Sequence, residues 1–170
     1  MACRGVFFAL SKEDESKLLT AAGSDTIVEI ITEEIEGRWD EAWLQEMDKS
    51  WDAIHRCLGD GTLRNAQPAV TAKAVIGGRQ LSSRSDWIIS YLTAEEAKQV
   101  ANALLPIDQP EFRRRYFALK KKFWWFDRTE YEGEIGEEDF ECSWAYFEDM
   151  RKFFTKASAA GRAVVFTVDQ

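Results

Sequence analysis

The sequence predicts a single α+β domain over residues 1–170, with a small mixed or antiparallel sheet that includes both terminal strands and packs against several helices. Three observations predict it. Short apolar runs stand near each end, residues 5–10 (GVFFAL) and 163–168 (AVVFTV). Between them lie segments with helical spacing and recognisable caps. The chain has 170 residues, 45% of them hydrophobic, which suits one domain with an ordinary core.

Residues 5–10 are apolar, partly aromatic and too few for a stable helix, so they read as a buried strand. Ser11 then offers an N-cap hydroxyl, and Glu13, Asp14 and Glu15 occupy the first turn, where the helix dipole favours acids. This helix is expected to end at Gly23. Asp25 reads as the next N-cap. Ile27, Ile31 and Ile35, four apart, share one helical face, although an Ile-rich run also suits a strand.

Over residues 38–58 the spacing of Trp39, Trp43 and Met47 predicts helix. Asp48 is placed to cap a fresh one carrying Trp51, Ile54, His55 and Leu58 on one side, ending at Gly59. Asp60-Gly61 marks a turn. Residues 69–76 suggest a short helix closed by Gly77-Gly78, followed by a polar loop to Asp86. Residues 87–91 (WIISY) read as a second strand.

Thr93 and Glu96 form a capping box, and its helix runs to about Leu105, before Pro106. Asp108 and Glu111 start another, expected to reach about Lys122. Residues 123–136 have no clean period. Residues 137–160 form the longest helix, with Phe140, Trp144, Phe147, Met150 (or the stem of Arg151), Phe154 and Ala157 as its apolar stripe. Gly161 ends it, and the β-branched run at 163–168 is the terminal strand. Three strands are too few for a sheet, so others are expected at residues 62–64 or 129–135.

The formal charge of −8 disfavours nucleic acid and anionic membrane and favours solubility or a basic partner. Seven Trp, eleven Phe and four Tyr point to an aromatic core, or to a ring-lined groove. Three widely spaced cysteines, Cys3, Cys57 and Cys142, form neither a disulfide framework nor a metal pair, and free thiols suit a reducing cytoplasm. The first ten residues lack a signal-peptide pattern, and no apolar run approaches a membrane span.

The single histidine heads the candidate chemistry. On a helix, Trp51 and His55 share a face, and Asp52 lies three residues from His55, close enough to raise and orient an imidazole used as a base. The structural alternative is a histidine packed beside tryptophan near a helix end. No nucleophile elbow or paired motif accompanies it. Trp51, Trp87 and Tyr91 are candidate pocket walls around His55 and Asp52. Glu137, Glu138, Asp139 and Glu141 resemble a cation trap, but they lack calcium-loop spacing and suit the dipole of the helix they open. No metal or other cofactor is expected. Gly59-Asp60-Gly61 and Gly77-Gly78 match no phosphate-binding loop. The basic run 113–115, then 120–122 followed by FWWF, has the composition of a nucleic-acid grip. On a helix, however, its cations spread around the axis and are expected to pair with surplus carboxylates.

Taken in order, GVFFALS, DKSWDAIHRCLGDG, AVIGGRQL, ISYLTAEEAKQVANALLPI and the closing GRAVVFTVD resemble the bacterial YfbM-like family, domain of unknown function 1877. The resemblance spans nearly the whole chain. Its most specific piece is the W-D-x-I-H helix before a Gly-bearing turn. Residues 113–136, with KKKFWWF, depart from the family pattern. The resemblance implies a bacterial, cytoplasmic α+β domain and transfers no activity and no catalytic residue.

The leading expectation is therefore a non-catalytic interaction module meeting a basic protein, for example an inhibitor or immunity-type binder of a basic toxin. The alternative is a small-molecule-binding protein or enzyme around Asp52 and His55. Self-assembly through an exposed aromatic patch is a third possibility.

Overall fold

The computed structural model describes residues 4–83, 86–119, 131 and 133–169. β1, Gly5–Ala9, is buried along its whole length. It lies inside the sheet, where an apolar strand hides both faces. α1, Lys12–Thr20, begins as expected: the Ser11 hydroxyl accepts from the Asp14 N–H at 3.1 Å. α2, Thr26–Glu29, continues directly into a π-helical segment, Ile30–Glu36. The helical reading of Ile27, Ile31 and Ile35 prevails, since all three are buried against the sheet. Asp25 precedes α2 without a side-chain cap.

The helix predicted over residues 38–47 does not form. Leu44–Asp48 is instead β2, the sheet edge that pairs antiparallel with β1. Without it, β1 would leave buried backbone donors and acceptors unpaired, a cost that outweighs the local helical spacing. Opposite Gly5 and Val6 stand Asp48 and Glu46, so Met47 is an extra bulged residue, fully buried. Asp48 sits at φ 43° and caps nothing; α3, Ser50–Leu58, starts after Lys49.

Beyond α3 a 3₁₀ turn covers Val70–Ala74, where a short helix was expected. β3, Arg79–Gln80, was read as loop; two residues are too short to show a period, and pairing with β4 creates the strand. β4 is Trp87–Leu92. α4, Ala94–Leu104, carries the complete Thr93–Glu96 capping box, and α5, Gln109–Phe117, is capped by Asp108. α5 stops at Phe117 with Ala118 as its C-cap, short of the expected Lys122; the KKKFWWF tract and residues 129, 130 and 132 lie outside the described residues. Residues 62–64 form no strand. α6, Glu137–Ala159, and β5, Val164–Asp169, complete the chain as expected.

The sheet runs β2-β1-β5-β4-β3, antiparallel throughout, with both terminal strands adjacent at its centre. It separates two cores. On one face Phe7 meets Phe166, Phe154 and Phe153 at ring separations of 4.8, 5.5 and 5.7 Å, beneath α3 to α6. On the other, Val6, Phe8, Val165, Ile89 and Tyr91 meet α1, α2 and the π-helical segment. Much of the aromatic surplus is thereby used inside: of the eight Phe at positions 7, 8, 112, 140, 147, 153, 154 and 166, all are buried. Among the described residues, no helix is long and apolar enough to cross a membrane.

Candidate functional site

Helical spacing puts Trp51, Asp52 and His55 on α3 as the sequence indicated, but the fold gives each a separate task. Trp51 is buried on the Phe166 ring, 5.9 Å between centroids. Asp52 turns to Arg56, whose Nε donates to it at 2.6 Å. His55 is fully buried. Its Nε2 donates to the Arg64 carbonyl at 2.9 Å, which leaves Nδ1 as the unprotonated nitrogen, without a hydrogen-bond partner among the described residues.

Burial holds the His55 pKa below its ordinary value, so the ring is neutral. The same loop is tied by Gln67, whose Nε2 donates to the Arg64 carbonyl at 2.8 Å and whose Oε1 accepts from the Asp60 N–H at 2.8 Å. This arrangement pins residues 59–67 to α3. A neutral, enclosed imidazole with its donor committed to the backbone is built for holding a loop.

Trp87 and Tyr91, the other two candidates, lie on β4 and face the opposite core. Tyr91 is buried, and its hydroxyl donates to Glu15 at 2.6 Å. The five residues therefore do not form one pocket; the sheet stands between the α3 group and the β4 pair. Arg113, Arg114 and Arg115 pair with carboxylates as expected, Arg113 with Glu137 and the other two with Glu111 at 2.8 and 2.7 Å. Cys57 is buried, which pushes its thiol up to about 12. Among the described residues, no group of three or more His, Cys, Asp and Glu is placed to hold a metal ion.

Trp87 does line an open hollow. It has a volume of about 180 Å³ and is bounded by Arg4, Val6, Glu36, Trp39, Trp87, Thr167, Val168 and Asp169. Each wall has a topological cause. Trp87 and Asp169 are cross-strand partners at the ends of β4 and β5, so their side chains share a face. Thr167, two residues before Asp169, shares it too, and its hydroxyl donates to Glu36 at 2.9 Å. Glu36 ends the π-helical segment, and Trp39 follows on the turn to β2.

Trp39 is 40% exposed and sits at φ 44°, a left-handed conformation that strains a bulky residue. Its ring makes a T-shaped contact with Phe8, 6.5 Å between centroids. Burial raises the Glu36 pKa, and the nearby Asp169 charge raises it further against the lowering effect of the Thr167 bond. Sequence reasoning missed Glu36 and Trp39 because Trp39 was assigned to a helix. The available signal was electrostatic: residues 29–41 hold Glu29, Glu33, Glu34, Glu36, Asp40 and Glu41 against Arg38 alone.

With this geometry in view, the chain can be set beside known proteins. A family model described as "Domain of unknown function (DUF1877)" matches residues 1–167. Among solved structures, the chain is similar to YfbM from Escherichia coli, a protein of unknown function. The two share 18% identity and a TM-score of 0.67, over 97% of this chain and 99% of that one. Among curated proteins none matches significantly.

Proposed function

The chain belongs to the DUF1877 family, a membership that supplies a fold and no activity, and we propose that it is a non-catalytic interaction module whose acidic face holds a basic protein. The observation that carries this reading is Trp39: a large ring, 40% exposed and held at φ 44°, amid a segment of six acids and one cation. Even that cation is neutralised, since Arg38 pairs with Asp14 at 2.8 Å.

Glu33, Glu34 and Glu36 lie towards the C-terminal end of a helical segment, where the dipole already presents negative charge. Lys17 offsets Glu34 at 2.8 Å, but an acid there without a cationic partner works against stability, which fits a cationic partner better than a role in folding. Acidic faces speed encounter with basic proteins, and exposed aromatic anchors hold them once docked. An inhibitor or immunity-type binder of a basic toxin is the concrete form of this reading. Cytoplasmic action belongs to the proposal and is supported by the free thiols of Cys57 and Cys142. The rival site at Asp52 and His55 ranks lower, because Asp52 is engaged by Arg56 and His55 is enclosed.

The test is affinity capture of the tagged chain from its native cells at low ionic strength. A stoichiometric basic protein is expected, released by added salt. Its retention should fall about tenfold or more with Glu33→Lys and Glu41→Lys together, and stay unchanged with Glu95→Lys on α4, in the opposite layer. A captured protein indifferent to salt and to the paired reversal would overturn the reading.

A further inference from the structure

Several rings that reach the surface are met by the chain's own cations. Arg162 and Lys156 lie 3.7 and 4.6 Å from the Trp43 ring centroid. Arg113 covers Phe117 at 4.7 Å, and Arg151 lies 5.9 Å from Trp144. A ring face is electron-rich, so each pairing satisfies both partners. Trp39 and Trp87 differ from these. Among the described residues neither ring has a cation over it, although Trp39 is 40% exposed.

Among the described residues, the carboxylates of the same hollow, like Glu33, Asp40 and Glu41 nearby, are not ion-paired, unlike some of their neighbours. Asp14, Glu34 and Glu46, on neighbouring elements, are paired with Arg38, Lys17 and Arg4. Glu36 and Asp169 have no cationic partner among the described residues, although they repel each other across the hollow. Arg4, the one cation on its rim among the described residues, points its guanidinium at Glu46, 3.2 Å away. Two uncovered indoles and two unneutralised carboxylates thus converge on one cavity of about 180 Å³. Among the described residues, the rings and the carboxylates of the hollow both lack a facing organic cation.

We infer that the hollow of Glu36, Trp39, Trp87 and Asp169 receives one arginine or lysine side chain of the basic protein partner. The indoles supply flat faces for the stem and charged head, and the carboxylates accept its hydrogen bonds. The inference rests on the interaction-module reading and gives it a specific anchoring point. Neighbouring acids supply only long-range attraction; the hollow selects a side chain.

The test uses the full chain and an acetylated, amidated Gly-Arg-Gly peptide, with its uncharged citrulline counterpart as control. The indole N–H signals of Trp39 and Trp87 are followed by NMR at low ionic strength. The arginine peptide should shift both signals, and the citrulline peptide should not. Glu36→Gln keeps an acceptor for Thr167, and Trp39→Gly suits the left-handed turn, so both variants retain the fold. Each should weaken binding about tenfold. Arg4→Gln, which removes the competing rim charge, should strengthen it.

Unmoved signals, or equal shifts with citrulline, would overturn the hollow as a cation site. A captured basic protein that Glu36→Gln binds as tightly as the natural chain would overturn it too, while leaving the acidic-face reading in place.

Discussion

The Thr167 hydroxyl donates to the Glu36 carboxylate at 2.9 Å, joining the terminal strand to the end of the π-helical segment across 131 positions of sequence. That bond holds an anion against its own solvation preference, beside a second anion at Asp169.

A pH dependence follows from the raised Glu36 pKa. The folded state holds this proton more tightly than the unfolded chain does. The resulting stabilisation is fully present below the unfolded value, near 4.5, and is lost as pH rises through the higher folded value. Glu36→Gln imitates the protonated form. Its melting temperature at pH 7 should therefore exceed that of the natural chain, and the gap should close as pH falls towards 4. A gap that widened on acidification would contradict the assignment. Arg4, Thr167 and Asp169 line the same hollow, so Asp169→Asn should reduce the gap.

His55→Ala should act on stability. It opens a cavity under residues 59–67 and removes the donor to the Arg64 carbonyl. A loss of about 2–4 kcal/mol is expected in urea unfolding. Amide exchange should also speed up in the loop that Gln67 helps to tie. A variant of unchanged stability would show that the buried imidazole is not a fastener.

Gly5→Ala tests the centre of the sheet. A Cβ at Gly5 would fall 2.6 Å from the Phe166 ring and 2.8 Å from Trp51. Both rings are buried and packed against each other, 5.9 Å apart between centroids, so neither can move aside freely. Overpacking of this kind costs about 1–3 kcal/mol, read as a lower urea midpoint at unchanged m-value. A neutral substitution would mean that the interface between α3 and β5 is looser than described.

Local chemistry made much of the fold legible. Thr93 and Glu96 define a helix start through hydrogen bonds between neighbours, and Ser11 and Asp108 do the same for α1 and α5. The apolar runs at β1 and β5 could only be buried strands. The candidate site was half legible. Trp87 was recognisable as a ring near a strand start, but its partners were not, because nothing between residues 36 and 169 marks their convergence.

By itself, then, the sequence determined the α+β class, the capped helices, the three apolar strands and the acidic balance, all consequences of short-range periodicity and composition. Only tertiary structure decided that residues 44–48 pair as an edge strand, since the demand comes from unpaired backbone on β1. Only tertiary structure enclosed His55 and parted it from Trp87 and Tyr91, because the sheet that separates the two cores has no local signature. The meeting of Glu36, Trp39, Trp87 and Asp169 was likewise decided by strand register. Register answers to long-range burial, and one residue of slip would have turned Asp169 to the other face.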